Sequence, residues 1–175
     1  MVRTPKNPLT ATAIAMTVLA VGCAGWGGWS WYGAAHDGSA SYAVARDTVL
    51  AAGEQAVQNV NTLDHRRLSQ GLDSWEASTT GDLHKQLADG RGQFEKQIQQ
   101  AKTVSTAKVL SGAVTELDAR AGRAAVMVAL RITVTPDKGK PVAKESRLQG
   151  ELTRTSAGWK LSALGQAPAG DPATD

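Results

Sequence analysis

Three histidines, one cysteine and sixteen carboxylates are the groups this 175-residue chain offers for proton transfer, nucleophilic attack or metal binding. General acid–base catalysis needs an imidazole or carboxyl group held against a partner that tunes it. His84 and Asp82 form the nearest such pair in sequence. Residues two apart on a helix point to different faces, and Asp82 suits a first-turn carboxylate favoured by the helix dipole. His65 follows Asp64 and stands beside Arg66 and Arg67, a solvent-facing setting. Tyr42 is the last tyrosine, and no cysteine follows Cys23, so a thiol nucleophile is excluded from the rest of the chain. A lone cysteine also excludes an internal disulfide framework and a multi-cysteine metal cage. No histidine–carboxylate spacing suggests zinc. Gly90-Arg91-Gly92 is too short for a phosphate loop and falls inside a helical pattern. These residues predict neither a catalytic centre nor a metal or cofactor site.

Charge excludes another class. The formal net charge is +3 with a pI near 9.2. From His36 onward 17 basic residues meet 16 acidic ones, without the basic stripe that nucleic-acid binding requires. The charge is nevertheless unevenly spread: residues 36–101 carry a net −3 and residues 102–160 a net +6. Lys138, Lys140, Lys144, Arg147 and Arg154 could meet anionic headgroups or an acidic partner. The plainer reading is that they are edge charges that discourage strand-to-strand aggregation.

The amino-terminal segment predicts a compartment. Asn7 to Ala35 is a run of 29 residues without formal charge, and about 20 apolar residues suffice to cross a hydrocarbon core. Trp26, Trp29, Trp31 and Tyr32 cluster at its far end, where indole and phenol rings suit the headgroup level. Arg3 and Lys6 flank the near end, which by the positive-inside rule puts the amino terminus in the cytoplasm and the remainder outside. An uncleaved single-pass anchor is the preferred reading. The alternatives are lipidation at Cys23, since Ala20-Val21-Gly22-Cys23 is similar to a lipobox, and simple signal cleavage. The predicted organisation is a cytoplasmic segment over 1–8, a transmembrane helix over 9–32, a hinge over 33–41, an extracytoplasmic domain over 42–165 and a disordered tail over 166–175.

Periodicity divides that domain into a helical and a strand half. Tyr42, Ala45, Val49, Ala52, Ala56, Val60 and Leu63 step by threes and fours along one helix face. Asp64 is placed to cap a second helix carrying Leu68, Leu72 and Trp75, and Thr80 or Asp82 to cap a third carrying Leu83, Leu87, Phe94 and Ile98. Gly90 and Gly92 weaken that third helix, and are read as a bend or a close approach to the sheet. Thereafter the period becomes two. Ala107–Leu117 reads as a strand with a bulge at Gly112, and Val126, Val128, Leu130, Ile132 and Val134 mark the inward face of the next. Two more strands hold Leu148 with Leu152 and Trp159 with Leu161. Short connections predict an antiparallel meander. The fold class is α+β, a cone-like domain of three helices packed on a curved four-stranded sheet.

A whole-length pattern then emerges. After the Trp-rich segment come Tyr42-Ala-x-Ala45-Arg46-Asp47, Asn61-Thr62-Leu63-Asp64, Gly71-Leu72-x-x-Trp75 and Thr80-Gly81-x-Leu83, closing on Leu152-Thr153-Arg154-Thr155-x-x-Gly158-Trp159-Lys160-Leu161-Ser162. Over roughly Leu9 to Leu164 this resembles the Mce-associated membrane proteins of actinobacteria, with a nuclear-transport-factor-2-like ectodomain. The same architecture is similar to inner-membrane scaffold components of type IV secretion systems, so fold alone leaves function open. The resemblance implies a non-catalytic accessory of an Mce-type lipid or sterol uptake assembly, with the membrane and protein subunits as partners and an apolar, lipid-like molecule as a candidate ligand. Trp75, Phe94, Val128, Leu130 and Trp159 are the candidate pocket or core residues. A secretion or conjugation scaffold and a small-substrate enzyme using the cone are the alternatives.

Overall fold

The computed structural model describes residues 20, 22–33 and 38–167. The chain divides into two compact units, Met1–Val44 and Ala45–Asp175. In the first unit, residues 22–33 are helical, and Trp26, Trp29, Trp31 and Tyr32 are 70–85% exposed. Among the described residues no helix is long and apolar enough to cross a membrane. Arg3, Lys6, half of the proposed span (residues 9–19 and 21) and the tail from residue 168 lie outside the described residues, as do residues 34–37.

The first long helix, α1 (Gly38–Val60), begins inside the predicted hinge: Gly38–Ser41 are helical, and the Ser41 hydroxyl donates to the Gly38 carbonyl at 2.9 Å. In the second unit its buried residues are Val49, Gly53, Ala56 and Val57. Asn61 ends the helix by folding its side-chain amide back onto the Val57 carbonyl at 2.8 Å. The following turn is tied down by three hydrogen bonds from two elements. The Ser105 hydroxyl donates to the Asn61 carbonyl, the Ala107 amide donates to the Thr62 hydroxyl, and the Trp75 indole donates to the Thr62 carbonyl at 3.2 Å.

Here the structure corrects the strand count. Leu63–Asp64 form a short strand, β1, paired with Ser105 and Val104, so the sheet has five strands and not four. Two residues carry no periodicity, and β1 exists because the turn before it is pinned to the next strand. Asp64 caps a single 3-10 turn, His65–Arg67, and helix α2 begins only at Leu68 (Leu68–Ser78). Thr79 is extended and bridges to Leu161, with the Thr80 amide donating to the Leu161 carbonyl at 2.8 Å. Helix α3 (Gly81–Ala101) starts at Gly81, where φ is +63°.

The long strands are β2 (Val104–Asp118), β3 (Arg123–Thr135), β4 (Val142–Thr155) and β5 (Gly158–Gln166), in the order β1-β2-β3-β4-β5 with every pair antiparallel. Gln166, assigned to the tail by sequence, is in β5, and the Ala167 amide still donates to the Arg147 carbonyl. The β2 irregularities fall between Val109 and Ser111 and between Val114 and Glu116, whereas Gly112 is regularly paired with Val128. The bulge predicted at Gly112 is therefore misplaced. The Glu54 side chain of α1 lies where a Cβ at Gly112 would stand, so a side chain there would have to displace that carboxylate.

One sheet face carries the core. Val126, Val128 and Leu130 of β3 are wholly buried, beside Leu152 and Leu161 at 1% and 0% exposure. Helix α1 lies on this face at Gly53, where a Cβ would stand 2.9 Å from a Val126 methyl; on β4 a Cβ at Gly150 would stand 2.8 Å from a Leu161 methyl of β5 and 3.7 Å from a Val57 methyl of α1. A second cluster joins Leu63, Leu68, Leu72 and Trp75 to Phe94, Leu87 and Ile98 of α3, with the Trp75 and Phe94 rings 5.1 Å apart. Val134 departs from the predicted inward set, being 39% exposed, because the alternation of β3 runs on past the layer that covers it. Gly90 and Gly92 approach nothing within 4 Å, which overturns their reading as a close contact with the sheet.

Two outcomes follow for stability, both measurable by circular dichroism melts. Gly53→Val should destabilise by roughly 1–3 kcal/mol through overpacking, while Gly92→Ala should be neutral or stabilising by up to about 1 kcal/mol. Trp75→Ala should cost about 3–5 kcal/mol. Trp159→Ala should cost much less, because Trp159 is only partly buried at the border of the core.

Candidate functional site

The sequence-local pair is not a pair in space. His84 lies half-buried at the α2–α3 junction, its Nδ1 3.2 Å from the Glu76 carbonyl oxygen and 3.4 Å from the Thr79 hydroxyl. A carbonyl can only accept, so this contact requires the Nδ1–H tautomer. The Thr79 hydroxyl in turn donates to the Trp75 carbonyl at 3.0 Å. These bonds satisfy the free carbonyls that end α2. Asp82 stays in the first turn of α3, exposed, with Lys85 Nζ at 3.9 Å.

His65 is also placed differently from its solvent-facing expectation. Its side chain is 22% exposed, its Nδ1 is 3.8 Å from Asp64 Oδ1, and no hydrogen-bond partner reaches that nitrogen. Asp64 itself is spent on the turn. It accepts from the Arg66 guanidinium at 2.9 and 3.0 Å and from the Arg66 amide at 2.9 Å. Those bonds, the guanidinium first, hold its carboxyl at about 2, below the usual value of 3.8.

A charge cluster missed at the level of sequence joins α2 to α3. Arg91 donates to Glu76 at 2.7 Å, to Asp73 at 2.8 Å and to Glu95 at 3.2 Å. Three carboxylates around one guanidinium, led by Glu76, push its pKa further above the ordinary arginine value. The signal was present in the spacing: Asp73 and Glu76 share a face of α2, and Arg91 and Glu95 share one of α3. On the sheet, Arg131 turns to solvent and pairs with Glu145 at 2.7 Å. The Arg154 guanidinium carbon stands 5.9 Å from the Trp159 ring centre, within cation–π range.

The candidate pocket residues separate. Val128 and Leu130 are wholly buried in the main core, Trp159 packs at its border, and Trp75 with Phe94 belongs to the second cluster. Between α1 and the sheet lie Val49, Ala56 and Val57 of the helix against Val126, Val128, Leu130, Leu152 and Leu161. Hollows lie elsewhere. One, of about 830 Å³, lies at the β2–β3 turn end of the sheet, with Glu116, Leu117, Ala125, Gln149, Glu151 and Thr153 among its lining. Among the described residues no group of three or more His, Cys, Asp or Glu side chains could hold a metal ion. What this arrangement offers is paired surface charge around a buried cluster of aliphatic side chains.

Over residues 9–168 the sequence matches the family described as Uncharacterized protein Rv1363c/MT1408-like. The chain belongs to that family. The family is actinobacterial, and its description carries no Mce association. No curated protein matches the chain. Among solved structures, the Rv1363c/MT1408-like chain is similar to an IcmL-like type IV secretion system protein from Legionella pneumophila, at a TM-score of 0.58 and 12% identity, covering 73% of this chain and 95% of that one. It is similar to the periplasmic domain of DotI, at 0.56 and 18% identity, covering 69% and 94%. It is also similar to CagV, a VirB8 homologue of the type IV secretion system of Helicobacter pylori, at 0.52 and 15% identity, covering 68% and 95%. At these identities the likeness is one of fold, an α+β domain with helices on an antiparallel sheet.

The Asp64 geometry predicts a pH signature. A carboxyl whose folded pKa is depressed contributes stability above its unfolded value of about 3.8, and that contribution is lost as pH falls toward 2. Asp64→Asn should therefore melt below the parent protein at pH 7, and the two should converge near pH 2 in the same scan.

Proposed function

We propose that this protein is a membrane-anchored, non-catalytic scaffold subunit of a multi-protein assembly at the cell envelope. Its amino terminus lies in the cytoplasm and its α+β domain outside. The observation that carries this reading is the kinship of fold with type IV secretion components over nearly their whole length. The character of the domain supports it. Its buried core cluster is aliphatic, and Arg91 of α3 pairs with Asp73 and Glu76 of α2, as suits a module that is held rigid. The secretion-type scaffold is thus preferred over the Mce-type uptake accessory, which rests on the residue pattern alone. Binding of a lipid-like molecule has no support from the packed space beneath α1.

Chemical crosslinking in intact cells, followed by purification of the full chain and identification of its neighbours, tests this reading. Recovery of secretion or conjugation components supports it. Recovery of permease and Mce-domain proteins returns the assignment to lipid uptake, and recovery of no envelope protein overturns the scaffold reading. A reporter fused after Asp175 should be active only outside the cytoplasm, and cytoplasmic activity would refute the topology.

A further inference from the structure

Strand β5 is shorter than the edge it covers. Its register with β4 ends at Leu148 and Gln166, and the Ala167 amide carries the ladder one residue further by donating to the Arg147 carbonyl at 3.0 Å. Strand β4 reaches back to Val142, paired on its other side with Val134 of β3. Backbone groups along an antiparallel strand face its two neighbours in alternation. Because the Arg147 carbonyl faces β5, the amides and carbonyls of Glu145 and Ala143 face the same way. Among the described residues no backbone group meets them. Ala143, Lys144 and Glu145 are exposed, and Val142 is 67% exposed beside Val134. An unpaired edge of this kind is a template for one more strand.

We propose that the chain's own continuation, residues 168–172, fills this edge by prolonging β5 along β4. Continuing the register of Leu148 with Gln166 sets Ala169 opposite Glu145, Gly170 opposite Lys144, Asp171 opposite Ala143 and Pro172 opposite Val142. Ala169 and Asp171 then share the parity of Ala167 and turn their amides toward β4. Pro168 and Pro172 have no amide hydrogen to donate, and both fall on the outward side, where an edge strand tolerates proline. A slip of one residue would put both prolines into the ladder.

Side chains and charge fit the same register. The Pro172 ring covers Val142, an apolar cross-strand pair, and Gly170 leaves room beside Lys144. Residues 168–175 carry Asp171 and Asp175 and no basic residue. At this end of the β3–β4 hairpin Lys138, Lys140 and Lys144 outnumber Asp137, and Glu145 is already paired with Arg131 at 2.7 Å. The outward prolines would interrupt any further ladder, so the prolonged β5 guards the sheet against edge-to-edge pairing. The proposal is independent of which envelope assembly the protein serves.

Amide hydrogen exchange followed by NMR, on the full chain in detergent micelles, tests it. The amides of Ala143, Glu145, Ala169 and Asp171 should exchange about tenfold or more slowly than free amides, and the outward amide of Gly170 should exchange faster than these four. Ending the chain after Ala167, or introducing Ala169→Pro, should speed exchange at Ala143 and Glu145 about tenfold or more, whereas Pro168→Ala should leave it slow. A Val128 amide that stays slow in every variant shows that the domain remains folded. Free exchange of Ala143 and Glu145 in the full chain overturns the proposal. So does exchange that stays slow after the truncation, which would put another chain on the edge, or indifference to Ala169→Pro.

Discussion

The fold depends on how closely α1 lies on the sheet. Val49, Gly53, Ala56 and Val57 make a helix face of small and β-branched residues, and Gly150 offers a matching gap on β4. With no Cβ at Gly53 or Gly150, methyl groups of Val126 and Leu161 occupy the space. The first gap brings α1 down onto β3 and the second seats a β5 side chain over β4, and Val126, Val128, Leu152 and Leu161 are buried together. Tight packing of this kind tolerates neither a larger residue nor a void. The glycines are therefore as constrained as any leucine in the core.

The remaining helices are attached by specific polar contacts to this α1–sheet unit. The turn after α1 is bonded to β2 and to the Trp75 indole, which sets both the short strand β1 and the position of α2. Thr79 and Thr80 join the end of α2 to Leu161 of β5, so the outer edge of β5 is occupied there. His84 and Arg91 complete the α2–α3 junction through hydrogen bonds and ion pairs. The titratable groups that first suggest chemistry thus have structural duties at helix ends.

The two sheet faces illustrate a division of labour within the same strands. Along β3 even-numbered residues from Ala124 to Leu130 enter the core, and odd-numbered ones point to the other face, where Met127 is exposed and the small Ala125 is covered by its neighbours. A one-residue slip in register would exchange them. The bulges between Val109 and Ser111 and between Val114 and Glu116 preserve this phase along β2, keeping Val109 and Val114 inward while Ser111 and Glu116 stay on the open side.

Several features were legible in the amino-acid order alone because they are local. The alternation of Val126, Val128 and Leu130, the turn residues between strands, and the helical spacing of Leu68, Leu72 and Trp75 all arise from neighbours within one element. The α+β class follows from the change of period after Lys102. Other features belong only to the tertiary structure. Gly53 carries no hydrophobic signal, and it joins the core only because Val126 and Leu152 lie opposite. Leu63–Asp64 is too short to show a strand period and pairs because its preceding turn is held. Val134 continues an apolar alternation yet is exposed, since burial depends on which neighbours reach that far along the strand. The partners of Asp73, Glu76 and Arg91 likewise required the packing of elements distant in sequence. Periodicity determines which side of an element is apolar, whereas only the assembled sheet and helices decide what that side meets.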